Sequence, residues 1–263
     1  MTEESILLKK EGHIATITLN RPEKLNALDW PAQRLFGQIL DDVAEDKEMR
    51  VLIITGAGRA FCAGGDVSAQ KGRIGMKMAE KREGGKMLSK NPLKIRKMPK
   101  PVIGMVNGVA VGAGCNLALA CDIIIASEKA RFGQAFVKVG LAQDYGGSYL
   151  LSRLVGTKKA CELVFTGDII DAQEAMRIGL VNKVVPEGEL EAATKEMAAK
   201  IASRAPLAVE IAKRSIYDAF DRFDLEMALE YENYVQGFLG LTDDHKEGAT
   251  AFLEKREPQF KGM

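Results

Sequence analysis

Three short runs constrain this chain more than anything else in it: Val51-Leu-Ile-Ile-Thr55, Val102-Ile-Gly-Met-Val106 and Asp122-Ile-Ile-Ile-Ala126. Each is nearly continuous in apolar residues, the pattern of a strand covered on both faces rather than one with a wet side. Helical segments lie between them. Pro31 starts the first, in which Leu35, Phe36, Ile39, Leu40 and Val43 recur at helical spacing, and residues 112–121 read as a short helix after a glycine run. Buried strands alternating with helices mean an α/β fold with a largely parallel sheet. An earlier strand runs from Ile14 to Leu19 and is ended by Asn20-Arg-Pro22. Beyond Gly146 the pattern is almost wholly helical, with amphipathic segments at 190–201, 207–220 and 225–238. The expected organisation is a core over residues 1–200 followed by a C-terminal helical region, 201–263.

Charge and cysteine usage narrow the function classes. Lysine plus arginine number 37 against 36 aspartate plus glutamate, so no global basic field exists to drive nucleic-acid affinity. The first residues carry no basic and apolar blocks of a signal peptide, and no run of about 18 apolar residues marks a membrane span, so a cytoplasmic enzyme is expected. Cys62, Cys115, Cys121 and Cys161 have no C-x-x-C spacing and sit in apolar contexts, which predicts buried free thiols. His13 and His245, the two histidines, lie at opposite ends of the chain. No metal site is therefore expected, and neither is a Ser-His or Cys-His nucleophile.

Two glycine-bearing stretches are placed where chemistry needs them. Arg59-Ala-Phe-Cys-Ala-Gly-Gly-Asp-Val67 follows a buried strand, where the backbone can turn and leave N–H groups unpaired. Asn107-Gly-Val-Ala-Val-Gly-Ala-Gly-Cys-Asn116 enters a helix, whose free N–H groups and positive dipole end suit a developing anion. A nucleotide-phosphate reading fails, because Phe61 stands where G-x-G-x-x-G needs its third glycine and no G-x-x-x-x-G-K-[ST] pattern occurs. Residues 70–98, rich in Lys, Met and Gly, predict a mobile helix–loop element.

With those stretches, Asn20-Arg-Pro-Glu-Lys-Leu-Asn-Ala-Leu28, Arg131-Phe-Gly-Gln134, Gly167-Asp-x-Ile-x-Ala172, Gly179-Leu-Val-Asn182 and the terminal Glu247-Gly to Phe252-x-Glu-Lys-Arg256 resemble the enoyl-CoA hydratase/isomerase (crotonase) family in order and spacing. The resemblance implies a crotonase-like ββα spiral core with a C-terminal helical trimerisation region, assembled as a homotrimer or a hexamer of two trimers. It implies an acyl-CoA substrate, coenzyme A being part of that substrate and no separate cofactor being needed. It also implies an oxyanion hole formed by the N–H groups of Gly65 and Ala113, and a coenzyme A site lined by Lys24, Leu25, Ala27, Ala63, Asp66 and Val67. For Asp66 a loop or helix cap is the competing role.

The resemblance departs at the acid/base positions. Family hydratases use two glutamates, and the matching positions here are Asn116 and Phe136, neither of which transfers protons. A carboxylate survives in Gly140-Leu-Ala-Gln-Asp144-Tyr-Gly-Gly-Ser148, which is similar to the segment that carries the single catalytic carboxylate of family isomerases. Asp144 is the expected proton shuttle, with helix capping as its competing role, and desolvation by Leu141, Ala142 and Tyr145 should raise its pKa. Phe136 is expected to shape the acyl pocket. Met76, Met78, Met87 and Met98 are expected either to form an adaptable pocket wall or to fill the core. The expected reaction is a double-bond shift in an enoyl-CoA. The alternatives are hydration of an enoyl-CoA or cyclic dienoyl-CoA, and acyl-CoA binding without turnover.

Overall fold

The computed structural model describes residues 4–66, 77, 85–86 and 89–263. Most of the segment expected to be mobile lies outside the described residues, as do Val67, Met76, Met78 and Met87; Met98 is buried in the core.

Among the described residues ten strands form two sheets: β1 (Ile6–Glu11), β2 (Ile14–Leu19), β3 (Val51–Gly56), β4 (Ala60–Cys62), β5 (Val102–Val106), β6 (Val109–Val111), β7 (Ile123–Ser127), β8 (Arg131–Gly133), β9 (Ile169–Asp171) and β10 (Lys183–Val185). The larger sheet has the order β1-β2-β3-β5-β7-β10 and the smaller β4-β6-β8-β9. In the larger sheet every neighbouring pair is parallel except β1 with β2, as the buried apolar runs require. The chain delivers strands in twos, β3 then β4, β5 then β6, β7 then β8, the first of each to the larger sheet and the second to the smaller. Each turn of a spiral thus adds one layer to both sheets. The apolar runs foretold the larger sheet, whereas the three-residue strands of the smaller one are too short to show a period.

Helices interleave with these strands, first α1 (Trp30–Glu45), α2 (Lys90–Lys97), α3 (Ala113–Ala120) and α4 (Gly147–Thr166). Asp29 caps α1, its side chain accepting from Ala32 N–H at 3.0 Å, and α1 then buries Phe36, Ile39, Leu40 and Val43. These side chains join Leu52, Ile54, Phe61 and Phe132 in the main core. The opposite face of β3 and β5 carries Val51, Ile53 and Ile103, which pack on Leu190, Ala198 and Ala202. Those last three residues belong to the helix layer that follows α5 (Ala172–Arg177), namely α6 (Leu190–Ala202). Both faces of the larger sheet are therefore covered at β3 and β5, while the edge strand β1 stays exposed from Leu7 to Glu11. The chain ends in α7 (Pro206–Asp221), α8 (Leu225–Leu239) and α9 (Asp243–Glu254).

Candidate active site

β4 and β6 are neighbours in the smaller sheet, so the stretches that leave them emerge side by side. Glycine makes the approach close. A methyl built on Gly64 would stand 2.9 Å from the Val111 carbonyl oxygen and 3.3 Å from the Ala113 nitrogen; one on Gly114 would stand 2.0 Å from the Cys62 carbonyl oxygen. Gly64 also has φ +94°, a conformation that side chains disfavour. The two glycine stretches expected to cooperate are thus pressed together.

Gly65 pairs with Leu28 through the peptides on either side of it: Leu28 N–H donates to Gly64 and Asp66 N–H donates to Leu28. Gly65's own N–H therefore points away from that partner. Ala113 is the first residue of α3, where an N–H has no acceptor within the helix. Gly112 precedes it with φ +58°, and Ala113, being helical, carries its Cβ without strain. Two donors and a helix N-terminus are assembled here, which suits an oxyanion. The Cys62 thiol beneath accepts from Gly64 N–H at 3.4 Å, and burial pushes it up to about 12. It stays a neutral thiol and not a nucleophile.

Lys24, Leu25 and Ala27 lie on the loop facing Gly65, held by Leu25 and Asn26 in left-handed conformations with φ +51° and +58°. Asn26 is buried and holds this loop. Its amide nitrogen donates to the Ala57 and Ala60 carbonyls, and its oxygen accepts from Arg21 N–H. Ala63 N–H donates to Leu25. Asp66 sits at the end of the described stretch. It is buried, and its carboxylate accepts from Arg21 and Lys24, both at 3.0 Å, which ties this loop to the residue after Gly65. Sequence reasoning missed Arg21 and Asn26; an Asn two residues after a short proline-initiated turn is the signal available, since Asn tolerates left-handed backbone.

Asp144 lies just before α4. The N-cap there is Gly146, with no side-chain capping bond, so the capping role expected as the alternative is absent. Asp144 is exposed, yet the protein around its carboxyl removes enough water to raise its pKa above the ordinary aspartate value. Its backbone is fixed. The Asp144 carbonyl accepts from Gly147 N–H at 2.9 Å and from Asn116 Nδ2 at 2.9 Å. Asn116 is fully buried and its Oδ1 accepts from Gln134 Nε2 at 2.8 Å. The next residue, Tyr145, takes φ +54° and buries its ring, with its hydroxyl on Gln33 Oε1 at 3.1 Å; Asn91 Nδ2 reaches the same oxygen at 3.2 Å. Phe136 is buried, its ring 3.7 Å from where a Cβ on Gly112 would stand, beside the entry to α3. The Asn116, Phe136 and Asp144 positions are thereby brought around the Gly112–Ala113 corner.

The profile described as "Enoyl-CoA hydratase/isomerase" matches residues 9–263. The short-chain-enoyl-CoA hydratase of Clostridium acetobutylicum is 43% identical over 258 residues, covering 98% of this chain and 97% of that one. The 1,2-epoxyphenylacetyl-CoA isomerase of Escherichia coli is 38% identical over 268 residues, covering 98% and 99%. Among solved structures, an enoyl-CoA hydratase from Bacillus anthracis superposes with a TM-score of 0.92 at 38% identity, covering 99% of this chain and 100% of the other. The match in sequence and in fold runs over nearly the whole chain, and this chain belongs to the enoyl-CoA hydratase/isomerase family.

Proposed function

We propose that this enzyme shifts the double bond of an enoyl-CoA thioester, with Asp144 as the single proton carrier. One observation carries the reading: Asp144 is a carboxylate with a raised pKa, while the two other family acid/base positions hold Asn116, sequestered and hydrogen-bonded within the protein, and Phe136. Asp144 removes a proton from the carbon next to the thioester, and the negative charge moves onto the thioester oxygen between Gly65 and Ala113 N–H. The same carboxyl then returns the proton two carbons further along. One proton moves and nothing is added. The step needs no cofactor beyond the coenzyme A of the substrate, for which Lys24, Leu25, Ala27, Ala63, Asp66 and Val67 form the binding stretch. Phe136 shapes the acyl pocket.

Hydration is the second reading, favoured by the names of two relatives, the Clostridium enzyme above and a crotonyl-CoA hydratase of Syntrophomonas wolfei at 41% identity. Incubating wild type and Asp144→Asn with 3-enoyl-, 2-enoyl- and cyclic dienoyl-CoA thioesters in deuterated water separates the readings by mass. Bond migration with deuterium uptake, lost in the variant, is the expected result. Addition of water establishes hydration instead, and thioester binding without turnover by either protein establishes a binding-only homologue.

A further inference from the structure

We infer that Asn116 is a positioning residue for Asp144, acting through the Asp144 peptide rather than on substrate. The inference rests on the reading of Asp144 as the proton carrier. Among the described residues the Asp144 carboxylate accepts no hydrogen bond, and its raised pKa comes from partial loss of water around the carboxyl alone. No side-chain hydrogen bond therefore sets its direction, and its backbone carries that task. The Asp144 carbonyl takes two donors, Gly147 N–H from the first turn of α4 and Asn116 Nδ2 from α3. The first belongs to the turn itself. The second comes from a different element, 28 residues away in sequence, and is the tie that fixes the turn relative to α3, whose first N–H is Ala113.

Asn116 cannot rotate away from this task. It is 0% exposed, its Oδ1 is occupied by Gln134 Nε2, and α4 presses on it so closely that a methyl on Gly147 would stand 2.2 Å from Nδ2. The amide chain Gln134–Asn116–Asp144 runs donor to acceptor throughout, so Asn116's acceptor end is fixed by Gln134 and its donor end is left for Asp144. A carboxylate at position 116 presents no donor when ionised, whereas an asparagine ties the two halves of the site together.

Asn116→Asp preserves shape and the acceptor for Gln134 while removing the donor to Asp144. The expected result is a fall in kcat of about 10- to 100-fold with KM held within about twofold, because misplacement of a reacting group by about 1 Å has that effect on rate. Unchanged kcat, or a loss carried by KM, overturns the inference. If the variant does not fold, the wild type decides: the Asn116 side-chain amide protons exchange slowly with deuterium when the tie is intact, and fast exchange overturns it. Asp144→Asn is measured in parallel. Should that variant keep full turnover, the proton-carrier reading fails, whereas slow exchange at Asn116 would still report the tie.

Discussion

Asp144 combines an open position with a partly desolvated carboxyl, and two pH effects follow. A base must be ionised to take a proton, so kcat is expected to rise with pH through a midpoint above the ordinary aspartate value, and Asp144→Asn is expected to lower kcat by about 10²- to 10⁴-fold. A rate profile flat across that midpoint would remove Asp144 from the mechanism. The stability effect has the opposite sense. Because the folded-state pKa is raised, the folded protein binds more proton than the unfolded chain between the two pKa values. Stability is full below the unfolded value and declines as pH rises through the folded one. Asp144→Asn should therefore raise the melting temperature at neutral pH and leave it unchanged near pH 3. The gain is small because the group is exposed. A variant less stable at neutral pH would show that the carboxylate has a stabilising partner. This is the usual sense of a residue kept for chemistry at some cost to stability.

At the scale of elements, the site depends on how closely α4 approaches α3. Gly147 is the contact: it takes an ordinary helical conformation, but a Cβ there would meet Asn116 Nδ2, Cγ and Oδ1 at 2.2, 2.6 and 2.7 Å. Gly147→Ala should therefore destabilise the protein by about 1 to 3 kcal/mol, the usual effect of overpacking, and displace Asp144 so that kcat falls with it. Urea denaturation with parallel kinetics checks both, and an alanine variant of wild-type stability and rate would show that the Asn116 side chain yields freely. Gly147 was visible in the sequence only as half of a Gly-Gly pair. The larger sheet was legible because β-branched runs announce buried strands whatever surrounds them, and the Gly65 and Ala113 stretches because glycine marks close backbone approach. What Asn116 does was not legible. Its partners, Gln134 and Asp144, lie 18 and 28 residues away and meet it only after β8 and α4 have packed. Nor was the Tyr145–Gln33–Asn91 cluster legible, since its members come from the Asp144 turn, α1 and α2 and are joined by tertiary contact alone.

On the scale of the whole molecule, the first of the last three helices is tied to the core through a buried charge. Lys213 of α7 buries its ammonium group against the Asp122 carboxylate at 2.7 Å and the Ile95 and Lys100 carbonyls at 3.0 Å. Between α4, α6 and α7 an apolar cavity of about 970 Å³ remains, lined by Leu154, Met197, Ile201 and Ile216 among others. Lys213 is the buried residue of α7. Further out, α8, α9 and the turn between them leave Leu225 75%, Tyr234 75%, Leu241 87%, Phe252 83% and Leu253 81% exposed. Isolated exposed apolar residues are ordinary, but this many large ones in one 30-residue stretch mark a surface meant to be covered. We propose that residues 201–263 form the assembly region and that the covering surface is a second copy of the chain, giving a trimer or a pair of trimers. Light scattering after size-exclusion chromatography should give three or six times the mass of one chain. Leu241→Glu combined with Phe252→Glu should shift it to one, since burying two carboxylates at a contact opposes association. A wild-type protein that elutes as a monomer at micromolar concentration would overturn the proposal and leave the exposed face for another partner.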